Sequence, residues 1–271
     1  IPAPDDLFAL NRPAMFLDGT ATYHPVDTVP TMDQGARVLV VRGEQGTLES
    51  VDWVTADANV DARSIDVELT PSGNATIRVT EQPQRNQAIA LRELLGNETG
   101  KVREALERRY VHGFGKVELV DYTHSDVKNL ILPVRLDATL RAQRFTEPQN
   151  GRLALRGALL TSSVLGTVQA DARELALLLG APRSTRRTVD YRLPPGFAPL
   201  SLPPPVELDA PFARYRLRWS RTPDGAVRAE RTVRWKIHRI EPPEYSEFRE
   251  FVQRIEAADQ TSVFIQREDK R

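Results

Sequence analysis

Two long stretches of this chain alternate apolar and polar positions, and both close through a turn. Ile65, Val67 and Leu69 alternate with Asp66 and Glu68, which predicts a half-buried strand. Pro71-Ser72-Gly73-Asn74 supplies turn chemistry, and Ala75, Ile77 and Val79 alternate with Thr76, Arg78 and Thr80 on the return. The second pair lies near the end. Tyr215, Leu217 and Trp219 alternate with Arg214, Arg216 and Arg218, Pro223-Asp224-Gly225 turns the chain, and Val227, Ala229, Arg231, Val233 and Trp235 return. The polar side of that pair is rich in arginine, which suits either an acidic partner or a solvated sheet face.

The period changes twice. Ile89, Leu91, Leu94 and Leu95, a break at Gly96-Asn97, then Val102, Ala105, Leu106 and Tyr110 predict a helical insert over about residues 88–110. Its charges, including the i, i+4 pair Glu104 and Arg108, read as a solvated face. Pro242-Pro243-Glu244 opens a helix over about 243–258 with Tyr245, Phe248, Phe251, Val252 and Ile255 as its apolar stripe, and Ser262 to Ile265 is a last strand.

Shorter apolar runs predict further strands. Ala14–Leu17 and Arg37–Arg42 read as buried strands, and Val51, Trp53 and Val54 as the opening of the next β region. Strands are also expected at Lys116–Val120, around Ile131 to Leu140, and through Leu153, Leu155 and Leu159. Leu175–Leu179 has helical composition but is assigned as extended before Gly180-Ala181-Pro182, on the resemblance described below. Pro203-Pro204-Pro205 reads as a stiff connector, with a polyproline-binding partner as the rarer alternative. The expected fold class is mainly β, with antiparallel sheets packed as one or two β-sandwich domains, a helical insert and a C-terminal helix.

Composition narrows the chemistry. Lys plus Arg is 37 and Asp plus Glu is 37, so no global field recruits nucleic acid or anionic lipid. No apolar run reaches the ~18–20 residues that span a bilayer. The chain has no cysteine, which excludes disulfides, thiolate metal sites and a cysteine nucleophile on this polypeptide. His112 and His124 flank one predicted strand, but no ligand spacing supports a metal site, and neither metal nor cofactor is expected. Arg183, Arg186 and Arg187 form a small basic cluster without an interleaved aromatic platform.

One stretch carries a more specific signal. Phe16-Leu17-Asp18-Gly19-Thr20-Ala21, then Val29-Pro30, then Met32-Asp33-Gln34-Gly35 and an apolar strand, resembles the end of the catalytic core in bacterial transglutaminase-like proteins. Tyr191 to Phe197 and the Pro-x-Glu-Tyr-x-x-Phe-Arg-x-Phe segment are similar to the β domain that follows that core. The resemblance implies a papain-like core with a Cys-His-Asp triad, and it places Asp18 at the triad aspartate, which orients the histidine and stabilises its cation. No histidine precedes His24 and no cysteine exists here, so Asp18 is expected to be idle on this chain. Without the resemblance, Asp18-Gly19-Thr20 is a turn. Phe8-Ala9-Leu10-Asn11 is aligned with an eroded histidine-bearing strand.

The organisation expected is a remnant of the core over residues 1–45, a β-sandwich with helical insert over 46–165, and a β-rich subdomain with terminal helix over 166–271. Three functions compete. The first is a non-catalytic accessory or interaction module of a transglutaminase-like protein, in the periplasm or at the cell surface. Its partner would be the upstream part or an envelope assembly. The second is a fragment of an enzyme whose Cys and His lie on another polypeptide, with Asp18 as third member. The third is a carbohydrate- or peptide-binding sandwich using Trp53, Trp219 or Trp235.

Overall fold

A computed structural model describes residues 16–155 and 165–268. The first strands among the described residues are β1 (Arg37–Arg42) and β2 (Gln45–Ser50), which pair there only with each other. Then follow β3 (Val60–Leu69), β4 (Ala75–Glu81), α1 (Asn86–Leu95), α2 (Thr99–Phe114), β5 (Val117–His124), β6 (Leu136–Ala142) and β7 (Arg152–Leu155). The second half holds β8 (Leu177–Leu178), β9 (Arg183–Arg192), β10 (Phe197–Pro199), β11 (Val206–Asp209), β12 (Ala213–Arg221), β13 (Val227–Trp235), β14 (Arg239–Ile240), α3 (Tyr245–Asp259) and β15 (Val263–Arg267).

Eight strands make one sheet in the order β11-β12-β13-β9-β3-β4-β6-β5. All its pairs are antiparallel except β3 with β9. That parallel pair joins strands from both sides of residue 166 into a continuous surface. The mainly β character, the helical insert and the C-terminal helix agree with the sequence pattern. Alternation then sorts the sheet by face. Ile65, Val67, Ile77, Leu140, Val189, Tyr191, Tyr215 and Val233 all point into one core, while the intervening residues face outward and are mostly polar. The helices, together with the three-stranded sheet β10-β15-β7, contribute to the same core. On α3 the stripe Tyr245, Phe248, Phe251, Val252 and Ile255 is buried as expected. Phe248 and Phe251 meet Phe212 and Trp235 at centroid distances of 5.3 to 6.4 Å.

Both edges of the large sheet are protected. Arg103 of α2 donates to the carbonyl oxygens of Leu119 and Val120 at 2.9 and 3.4 Å, occupying acceptors of the edge strand β5, which also carries a bulge between Leu119 and Asp121. The other edge, β11, is only four residues long and follows Pro203-Pro204-Pro205, here an inter-strand connector.

A polar seam crosses the buried face. Arg231, Arg187, Arg63 and Glu81 lie in register on β13, β9, β3 and β4. Glu81, almost wholly buried, accepts from Arg63 at 3.0 Å, Arg109 at 2.5 Å and Tyr110 at 3.2 Å. Arg187 pairs with the Asp61 carboxylate and donates to the Asp61 carbonyl at 2.8 Å. Arg231 pairs with Asp259 through two bonds of 2.7 Å, with neither side chain exposed. Desolvation alone would raise the Asp61 pKa, but Arg187, joined by the charges of Arg63 and Arg109, outweighs it and holds the carboxyl below the usual range. On the outward face, the hydrogen bonds from Arg135, helped by Thr80, hold Asp137 low as well. Depressed carboxylate pKa values contribute stability that is present above the unfolded value of about 4 and is lost as pH falls through the folded values. Urea melts are therefore expected to lose stability steeply below about pH 4, and Asp61→Asn should flatten part of that slope.

Two expected strands are not seen among the described residues. Leu17 is exposed in irregular chain, and of Ala14–Leu17 only Phe16 and Leu17 lie among the described residues. Ile131 and Leu132 sit in a loop, with Ile131 94% exposed. The cause is Arg92 of α1, whose buried guanidinium donates to the carbonyls of Val127, Asn129 and Leu132 at 2.6 to 3.2 Å and fixes the backbone as a loop. Leu159 and the Phe8–Asn11 segment lie outside the described residues.

Candidate functional site

Asp18 occupies a turn. Its Oδ1 accepts from the Thr20 N–H at 2.8 Å and the Thr20 hydroxyl at 2.7 Å. This is the local pattern that Asp, Gly and Thr adopt without tertiary help. Those two bonds hold its carboxyl below the usual range, with His24 adding a smaller attraction, so Asp18 is ionised at neutral pH. His24 feels the opposite influences. Partial burial lowers its pKa, Asp18, Glu93 and Asp33 oppose that, and its buried Nδ1 has no hydrogen-bond partner. The turn therefore supplies a charged, accessible carboxylate and a nearby imidazole. No thiol exists on the chain to complete a nucleophilic site.

The rest of the motif builds a support. Gln34 is buried. Its amide donates to the Val29 carbonyl at 2.9 Å and to Asn86 Oδ1 at 3.1 Å, and its Oε1 accepts from the Val54 N–H at 3.0 Å. Gly35 takes φ 77°, and it and Ala36 are tied to Val51 just past β2, Gly35 N–H to the Val51 carbonyl at 2.8 Å and Val51 N–H to the Ala36 carbonyl at 2.9 Å. A Cβ at Gly35 would lie 2.6 Å from Trp53 Nε1, so only glycine lets the chain rest on that ring. Trp53 in turn stacks on His238 at 4.4 Å and 13°. Asp33-Gln34-Gly35 and Trp53 thus anchor one feature, the base of the β1–β2 hairpin.

Beyond its base the hairpin pairs with no other strand among the described residues. Arg37–Arg42 does form a strand, but not a buried one. Leu39 and Val41 are each 66% exposed and Leu48 opposite Leu39 is 56% exposed, because no layer among the described residues covers this ribbon. Leu39, Val41 and Leu48 share one face. The other face carries Arg42, which pairs with Glu49 at 2.9 Å and donates to Thr47 at 3.2 Å. Neither outer edge of the ribbon is paired among the described residues, in contrast to the guarded edges of the large sheet. The sequence pattern does not predict the second strand. Its signal is Gly43-Glu44 between Arg42 and Gln45, a two-residue loop with glycine first at φ 62°. The weak alternation of Gln45–Ser50 hides it.

Other predicted residues are placed as follows. Trp219 and Trp235 are buried in the core and Trp53 lies between Gly35 and His238, so they form no exposed binding platform together. His124 stacks on Tyr122 and its Nδ1 lies 2.8 Å from the Ser125 carbonyl. Among the described residues no group of three or more His, Asp or Glu side chains is placed to hold a metal ion. The basic cluster on β9 is divided by strand alternation. Arg183 donates to the Leu179 carbonyl and Arg187 pairs with Asp61, while Arg186 lies on the opposite, outward face. No helix among the described residues is long and apolar enough to cross a membrane.

The comparisons with known proteins are sparse. A family model described as a domain of unknown function, DUF3858, matches residues 155–265, less than half of the chain. No curated protein matches. A solved structure, described as a "putative protease" from Parabacteroides distasonis ATCC 8503, is similar at 12% identity and a TM-score of 0.36. The match covers 44% of this chain and 24% of that one, so this chain spans about a quarter of that protein.

Proposed function

We propose that this chain is a non-catalytic interaction module, the β-rich C-terminal region of a transglutaminase-like protein of the bacterial periplasm or cell surface. The observation that carries it is the β1–β2 hairpin, fixed at its base and, among the described residues, bare along an apolar face and two edges. An isolated two-stranded ribbon is marginal in water, and covering Leu39, Val41 and Leu48 would contribute roughly 1.5–3 kcal/mol for each fully buried side chain. The occupant that fits the motif is the transglutaminase-like part that bears the Cys and His. The match to DUF3858 is consistent with this but assigns no activity.

The test uses the protein from its native source, cross-linked before purification. A Cys- and His-bearing transglutaminase-like polypeptide, or the same region of a longer product of this chain, should cross-link through the hairpin. Replacing Leu39, Val41 and Leu48 together by Ser should reduce that cross-link at least tenfold without changing the melting temperature by more than about 2 °C, since exposed sites rarely affect stability. An unchanged cross-link would overturn the hairpin's role. Fractionation placing the protein in the cytosol would overturn the location.

A second reading has one observation in its favour. Asp18 is ionised and accessible, and His24 lies close enough to feel the charges of both Asp18 and Asp33. If docking brings a Cys-His pair to it, Asp18→Asn should lower labelling of that cysteine by a thiol-directed probe by tenfold or more. Equal labelling would leave Asp18 as a turn residue only.

A further inference from the structure

The large sheet has a second surface that the hairpin reading does not use. The helices pack on one face. The opposite face of β9, β12 and β13 carries the outward residues of each strand, and arginine dominates it. On β12 these are Arg214, Arg216 and Arg218, all exposed. They run along one strand at i, i+2, about 6.7 Å apart.

Pairing within the face is incomplete. Arg214 and Arg216 share Glu207 at 3.8 and 3.1 Å, and Arg228 holds Asp190 in a two-bond pair of 2.7 and 2.8 Å. Arg186 and Arg218 have no ion-pair partner among the described residues. Arg218 lies in register with Glu230, yet their side chains form no ion pair. Arg216, Thr232 and Arg186 lie in one row across β12, β13 and β9, with the short threonine between two guanidinium groups. Two strand spacings put those arginine backbones about 9.5 Å apart. In a chain of zero formal net charge, this is a local concentration of positive charge.

The chemistry selects the partner. Guanidinium groups match carboxylates in two-bond geometry. Carboxylates on alternate residues of an extended peptide repeat at the same ~6.7 Å as the β12 arginines. Every aromatic side chain on β9, β12 and β13, namely Tyr191, Tyr215, Trp219 and Trp235, points to the buried face, so no platform exists for stacking bases or sugar rings. We propose that this face binds an extended acidic polypeptide segment, with Arg186, Arg216 and Arg218 as the principal contacts.

Fluorescence polarisation with a labelled peptide of about twelve residues alternating Asp and Thr tests this on the whole chain. Saturable binding is expected at about 50 mM salt, weakening at least tenfold by about 200 mM. The double variant Arg186→Gln/Arg218→Gln should weaken it at least tenfold, and Lys116→Gln, an exposed cation elsewhere, should not. The matching Asn-Thr peptide should fail to bind. Absence of saturable binding, an equal loss from Lys116→Gln, or equally tight binding of oligothymidylate would overturn the proposal. Replacing Leu39, Val41 and Leu48 by Ser should leave this binding intact, so its failure and that of the hairpin reading are distinguishable.

Discussion

Replacing Asp259 with Ala is expected to cost about 3–5 kcal/mol, the range for removing one partner of a buried ion pair. Arg231 would then stand wholly buried with no counter-charge, in a row with Arg187 and Arg63. The loss would spread, because Asp259 Oδ1 also accepts from the Tyr215 hydroxyl at 2.8 Å and the Arg231 guanidinium lies 5.5 Å from the Tyr215 ring. Burial and the neighbouring carboxylate push the Tyr215 pKa upward, so its hydroxyl stays protonated as a donor. The carboxylate sits in the last turn of α3, at the negative end of the helix dipole, where only its partners favour it. For a chain of this size a loss of that order lowers the melting temperature by roughly 10 °C. The pair is not optimal, since Arg231 Nη1 is buried without a partner. The double variant Arg231→Met/Asp259→Leu should therefore recover the part of the loss due to the unpaired charge, but not the part due to the Tyr215 hydroxyl, which still lacks its acceptor. A double variant as unstable as Asp259→Ala would show that packing, not the unpaired charge, carries the effect.

Gly73→Ala should be the most damaging small substitution. Gly73 takes φ 82° in the turn between β3 and β4, which by itself costs an L-residue roughly 1–2 kcal/mol. The added Cβ would also lie 1.9 Å from the Thr146 carbonyl oxygen, a backbone atom that cannot swing aside. That carbonyl is fixed because Thr146 N–H donates to the Gly73 carbonyl at 3.0 Å, and the Thr146 hydroxyl accepts from Ala154 N–H at 3.1 Å. A loss of at least ~2 kcal/mol is expected in urea unfolding. Gly225→Ala is the control. Gly225 has φ 85° in the equivalent turn between β12 and β13 but open space around it, so it should show the conformational cost alone. Equal losses at both positions would mean that the Thr146 contact relaxes freely.

Local patterns were legible wherever one strand or helix face meets the core. The alternation of Ile65 to Leu69 and of Val227 to Trp235, the Gly96-Asn97 break and the apolar stripe of α3 all reappear in the structure. The Asp18 turn was also readable, because its bonds to Thr20 are local. The same reading misjudged Arg37–Arg42. An apolar run reports that a strand can be buried, not that a layer exists to bury it. It misjudged Ile131 and Leu132 for a similar reason, since their loop is set by Arg92, which lies more than 30 residues away in the chain.

By itself the sequence determined the period of each element, the turns that need glycine, and the absence of any thiol chemistry. The tertiary structure decided what the charges do. Arg231 and Arg187 occupy apolar positions of alternating strands, and nothing local says whether such an arginine finds a carboxylate. Asp259 and Asp61 are brought to them by α3 and by the β3–β9 pairing. The parallel register of β3 with β9, which merges the two halves into one sheet, has no local signature. It forms because each strand presents one apolar face and two sets of backbone donors and acceptors that must be paired once buried.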